Sequence, residues 1–105
     1  MVASYKSRPA SGGVYEIRNR ESGKSFIDGV VDLGGSENRF NFSVKTDMPY
    51  HFKLQEDWKR FGKESFDFIV LEKLEIKEAQ SLQEFKAEIK ILKEMWQEKA
   101  GEQMY

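Results

Sequence analysis

The chain has no cysteine, a single histidine, only two prolines and no surplus of charge. Without cysteine, disulfide frameworks and thiolate metal centres are excluded, and a reducing compartment, the cytoplasm, is the expectation. No apolar run approaches the roughly 20 residues needed to cross a bilayer, and the start of the sequence lacks the apolar core of a secretory signal. Lys and Arg number 17 against 18 Asp and Glu, for a formal net charge of -1. A general basic surface of the kind that drives nucleic-acid binding is therefore absent, and any basic patch must be local and offset elsewhere. No Gly-rich phosphate loop and no Ser-His pairing stands in the sequence, which removes the commonest motif-borne enzyme classes.

What is present is an α/β (α+β) pattern of the length of one domain: 105 residues bury roughly two thirds of the unfolded surface. Residues 1–12 read as a loose lead, 13–100 as a single domain and 101–105 as a tail. Gly13-Val14-Tyr15-Glu16-Ile17-Arg18 is a strand, with Tyr15 and Ile17 on one face and Val14 and Glu16 on the other. Asn19-Arg20-Glu21-Ser22-Gly23 is turn chemistry, so the strand over 24–31 returns as a hairpin and places Phe26 near Tyr15. Asp28-Gly29 marks a bend, a bulge or an early end in that strand. Asp32-Leu33-Gly34-Gly35 reads as a break, with Ser36 capping a short helix over 37–45. A helix over 50–61 follows, its stripe formed by Leu54, Trp58 and Phe61, and Gly62 ends it. Residues 66–71 are apolar except for Asp67, which predicts the central, most buried strand. The last helix, over 82–99, keeps Leu82, Phe85, Ile89, Leu92 and Trp96 in phase. The order is β-β-α-α-β-α, a small, mostly antiparallel three-stranded sheet flanked by helices.

On the last helix, Lys86, Lys90 and Lys93 share a polar face with Gln83, Glu94 and Gln97. Glu88 falls inside the apolar arc, between Met95 and Leu92, and Glu84 near its edge. A carboxylate aimed at packed surface is unfavourable unless it is paired or binds a cation. Two readings of Glu88 stand side by side: a residue at the core margin reaching water or an arginine, or a metal ligand.

Taken together these residues resemble the GIY-YIG nuclease family, over most of the chain from Gly13 to Trp96. Gly13-Val14-Tyr15 looks like the first triplet of that family, and Phe26-Ile27-Asp28 stands at the second. Lys53-Leu54-Gln55, Trp58, Phe61-Gly62 and the run from Phe66 to Glu72 are similar to its middle helix and third strand, and Glu88 falls at its metal-binding glutamate. The resemblance implies hydrolysis of DNA phosphodiester bonds with one divalent metal, Mg²⁺ or Mn²⁺, held by Glu88. In that scheme Tyr15, with a lowered pKa, is the general base or orients the attacking water. Arg39 clamps the developing negative charge with its guanidinium fork. An ordinary surface arginine is the competing reading of Arg39, which lies about three residues later than the family spacing.

The sequence departs from the pattern where the second triplet has Phe26 for tyrosine and Asp28 for glycine. One phenol is lost and a carboxylate added near the place of a phosphate. His51 reads as a solvated loop residue. Two functions follow as expectations: a metal-dependent endonuclease of modest activity, or a degenerate module of the same fold that binds nucleic acid or a protein partner without cleavage. DNA binding is expected to be weak and salt-dependent, through Arg18, Arg20, Lys24 and Arg39.

Overall fold

The computed structural model describes residues 11–105, so most of the lead read over 1–12 lies outside the described residues. Three strands form one antiparallel sheet: β1 (Ser11–Asn19), β2 (Ser25–Val30) and β3 (Phe66–Glu75), in the order β2-β1-β3. The hairpin forms as the turn residues predict, with Ile17 opposite Phe26 and Tyr15 opposite Asp28. β1 is the central strand, which corrects the assignment of that place to β3. An apolar run signals cover on both faces, and at an edge helices can supply that cover. β1 is buried almost throughout, whereas Val70 of β3 is exposed.

The alternation along β1 sorts two faces. Tyr15 and Ile17 enter a core with Phe26, Leu33, Phe40, Leu54, Trp58 and Phe66. Helices α1 (Leu33–Thr46) and α2 (Gln55–Phe61) supply that cover. The other face carries α3 (Leu82–Ala100), which buries Phe85 and Ile89. Two glycines let α3 approach. A Cβ on Gly12 would lie 2.9 Å from the Phe85 ring, and one on Gly29 would lie 2.6 Å from Ile89 Cγ2. Gly29 is therefore a point of close helix–strand contact within a strand that continues to Val30. The irregularity in the sheet lies instead between Val14 and Tyr15, where β1 slips against β3.

Helix α1 begins earlier than the sequence pattern predicts. Asp32 is its N-cap and accepts a hydrogen bond from the Gly35 amide at 3.1 Å, so the apparent break over 32–35 is the cap and first turn. Glycine weakens a helix most in its interior, and a side-chain cap offsets that cost at the first turn. The helix read over 50–61 is shorter. His51 caps a 3₁₀ turn (Phe52–Leu54) through Nδ1, which accepts from the Lys53 amide at 3.1 Å, and α2 follows. Helix α3 opens with a capping box in which the Ser81 hydroxyl and Glu84 satisfy each other's amides. Glu84, one of the two carboxylates near the apolar arc, is thereby accounted for. Residues 101–105 fold back: the Tyr105 amide bonds Ser25 O at 2.9 Å, and its hydroxyl donates to Asp57 at 2.8 Å.

Candidate functional site

Tyr15 stands mid-strand in β1 with its side chain wholly buried. Its ring stacks on Phe68 with centroids 4.8 Å apart and meets Phe26 at 6.4 Å. Burial of a phenol calls for a hydrogen-bond partner. The partner is Tyr50, in the loop before α2, with the two hydroxyl oxygens 2.9 Å apart. Tyr50 in turn accepts a hydrogen bond from the Arg39 guanidinium, whose carbon also sits 4.9 Å from the Tyr50 ring centroid. Arg39 is on the exposed side of α1, beside Phe40, which anchors the helix in the core. The result is a relay from the sheet interior to the surface: Tyr15, Tyr50, Arg39.

Sequence reasoning named Tyr15 and Arg39 and missed Tyr50. Phe26 lacks a hydroxyl, and Tyr50, from a different part of the chain, supplies one beside Tyr15. The only local hint was an amphipathic ring just after Pro49, at the entrance to the helix.

The relay has electrostatic consequences. Burial raises the Tyr15 pKa, and the hydrogen bond to Tyr50 and the nearby charges of Tyr50 and Asp28 raise it further. Arg39 acts in the opposite direction without prevailing. The phenol is therefore protonated at neutral pH, which corrects the lowered pKa expected of a general base. The hydrogen bond to Tyr50 raises the pKa of Arg39, keeping it a permanent cation.

Asp28 faces Tyr15 across the hairpin. Its carboxylate accepts from the Gly29 amide at 2.8 Å and lies 3.8 Å from Lys93 Nζ. His51 is not isolated: its ring lies 4.6 Å from Phe26 and 4.5 Å from Phe52, between centroids.

Glu88 projects toward the connection from β3 to α3. Oε1 accepts from Gln80 at 3.0 Å, and Oε2 lies 3.8 Å from Lys77 Nζ. No hydrogen bond or ion pair among the described residues joins it to Tyr15, Tyr50 or Arg39. Nor do three or more His, Asp or Glu side chains gather anywhere among the described residues. As a donor Glu88 fits a hard cation. It is a half-exposed carboxylate, and among the described residues the ammonium paired with Oε2 is that of exposed Lys77, at 3.8 Å. Mg²⁺ keeps most of its waters and needs few protein oxygens.

No model of a protein family matches the sequence, and no curated protein matches it. Among solved structures, the chain is similar to the catalytic domain of the homing endonuclease I-TevI. The TM-score is 0.62 at 18% identity, over 84% of this chain and 86% of that one. A substituted form of the same catalytic domain, described as that of an intron endonuclease, aligns at TM-score 0.61 and 19% identity, over 85% and 82%. Three antiparallel strands, the helices on both faces and this likeness establish that the chain has the GIY-YIG fold.

Proposed function

We propose that this domain binds DNA and hydrolyses its phosphodiester bonds with the help of Mg²⁺ or Mn²⁺. The observation that carries the reading is the Tyr15–Tyr50–Arg39 relay, set in a fold shared with an endonuclease catalytic domain. Arg39 is the member that reaches solvent. Its fork offers paired donors to two phosphate oxygens, and it opposes the charge that grows on them during displacement. Tyr50 fixes the guanidinium by a hydrogen bond and by its ring face. Tyr15 is a positioning residue: buried and protonated, it holds the Tyr50 hydroxyl and takes no proton from water. Glu88 would hold the metal, whose charge, when bound, neutralises the phosphate and stabilises the leaving oxygen.

A second reading is binding without cleavage. It is favoured by the protonated, enclosed Tyr15 and by the engagement of both Glu88 oxygens with Gln80 and Lys77. A plasmid-nicking assay separates the two. Wild-type protein with Mg²⁺ or Mn²⁺ nicks supercoiled DNA, EDTA stops it, and Glu88→Gln lowers the rate by orders of magnitude while folding is kept. Nicking that persists in EDTA would remove the metal from the scheme. Wild type that is inert with every divalent metal, yet binds DNA, would establish the second reading.

A further inference from the structure

The three lysines that the helical spacing places on one side of α3 do not simply face bulk water. They line one wall of a groove of about 610 Å³ whose other wall is α1, with the end of β2 as its floor. Lys86, Lys90 and Lys93 stand opposite Ser36 and Arg39, with Val30 between them. We propose that this groove binds the phosphate backbone of one nucleic-acid strand and delivers one phosphate to Arg39. The inference rests on the DNA reading above and adds where the strand runs.

Charge is the first argument. In a chain of net charge -1, four cations converge on one concavity. Among the described residues, Lys86, Lys90 and Arg39 have no carboxylate within ion-pair range, and Lys93 has only Asp28 at 3.8 Å. Like charges four apart on a helix repel, so Lys86 and Lys90 do not favour the isolated helix. An anion bound between them reverses the sign of that interaction.

The groove also says where the anion sits. Asp32, which lines the same space, already occupies the N-terminus of α1 as its cap. A phosphate is repelled from that end and is held instead between Arg39 and the α3 lysines. Lys86 to Lys93 spans about 10 Å of helix axis at 1.5 Å per residue. A DNA strand carries one phosphate per roughly 3.4 Å of duplex axis, so the row matches two or three consecutive phosphates. A strand laid along it continues to Arg39, which belongs both to the groove and to the relay with Tyr50. The other three basic residues named from the sequence are otherwise engaged. Arg18 pairs with Glu16 at 3.2 Å, Arg20 with Asp67 at 2.6 Å, and the Lys24 ammonium lies 5.8 Å from the Tyr105 ring centroid.

The test is binding of a fluorescently labelled oligonucleotide to the full chain, measured by anisotropy across a salt series in EDTA, where cleavage does not intervene. The proteins are wild type, the double variant Lys86→Gln/Lys90→Gln and the control Lys24→Gln, each checked for an unchanged circular-dichroism melt. The double variant is expected to lower the slope of log K against log salt by about 1.4–1.8. Its affinity at 0.15 M salt should fall roughly ten- to thirtyfold. The control should match wild type. Inorganic phosphate and pyrophosphate, added at constant ionic strength, should displace the oligonucleotide poorly. Efficient displacement by either would assign the groove to a free phosphate compound and overturn the strand assignment. An unchanged slope in the double variant, or no binding by wild type, would also overturn it. A protein that binds through Lys86 and Lys90 but never nicks would refute the nuclease reading and leave the groove standing.

Discussion

The two faces of the sheet are built differently. On the Tyr15 face, a continuous aromatic core seals the strands under α1 and α2: Tyr15, Phe26, Phe40, Trp58 and Phe66, with Tyr50 and Phe68 at its margin. On the other face, α3 buries only Phe85 and Ile89 fully. Polar groups share the interior there: buried Glu16 accepts from the Ser25 hydroxyl and pairs with Arg18 at 3.2 Å. The Gln97 side chain bonds Ile27 O at 3.1 Å. The difference separates two jobs. The aromatic face stabilises the fold and holds the relay rigidly, so substitutions there disturb stability and site together. The α3 face has a smaller apolar core, of Val14, Ile27, Phe85 and Ile89, and the outer flanks of the helix are free to carry charge.

Four substitutions sharpen that contrast, taken from the largest effect down. Trp58→Ala should destabilise by roughly 3–5 kcal/mol. Trp58 is 3% exposed, stacks on Phe66 at 4.9 Å and donates to Asp47 at 3.1 Å. A urea midpoint like that of wild type would show that the aromatic core is not the seat of stability. Arg39→Ala should lower the nicking rate by about 10²–10³, equivalent to roughly 3–4 kcal/mol, with an unchanged melt. Equal loss of binding and rate would instead make Arg39 a simple affinity contact.

Trp96→Ala, on the α3 face, should cost about 1–2 kcal/mol, well below Trp58→Ala. Trp96 is half-buried, donates to Glu72 at 2.9 Å and lies under Lys99. The two tryptophans look equivalent in the helical patterns, and the urea midpoints of the two variants test whether they are. Tyr15→Phe should be the mildest of the three aromatic substitutions, about 0.5–1.5 kcal/mol, since it removes one buried hydrogen bond and keeps the ring.

Tyr15 also gives the comparison a pH signature. Its folded pKa lies above that of the unfolded chain, so its contribution to stability is complete below the unfolded value, near 10. It is lost as pH rises beyond that, because the unfolded phenol ionises and the folded one does not. Tyr105 is shifted in the same direction, chiefly by burial. Wild type should therefore hold a level stability through neutral pH, with respect to these groups, and lose it above about pH 10. Tyr15→Phe should lose less over that alkaline range. An equal alkaline loss in both proteins would place the effect on other groups.

Local pattern made much of the fold legible. The hairpin followed from the residues between Asn19 and Gly23, the Tyr15 and Ile17 face from strand alternation, and α3 from five apolar residues in phase. Which strand is central was not legible, because apolar content reports cover and not hydrogen-bonding neighbours. The start of α1 was hidden because Gly34 and Gly35 look like a break until Asp32 is seen to cap them. At the site, Tyr15 and Arg39 were named from the resemblance, but their link runs through Tyr50, 35 residues from Tyr15. No local periodicity encodes a contact across that separation. The lysines of α3 were seen as one polar face, and only the placement of α1 turned that face into the wall of a groove.

The central claim is that Tyr15, Tyr50 and Arg39 act as one unit on a phosphodiester. Its most direct test is the initial nicking rate, with Mg²⁺, of wild type, Tyr15→Phe, Tyr50→Phe and the double variant. A unit gives non-additive losses: each single variant should fall well below wild type, and the double variant should be little worse than Tyr50→Phe alone. Wild-type nicking by Tyr50→Phe, or losses that multiply independently, would contradict the account.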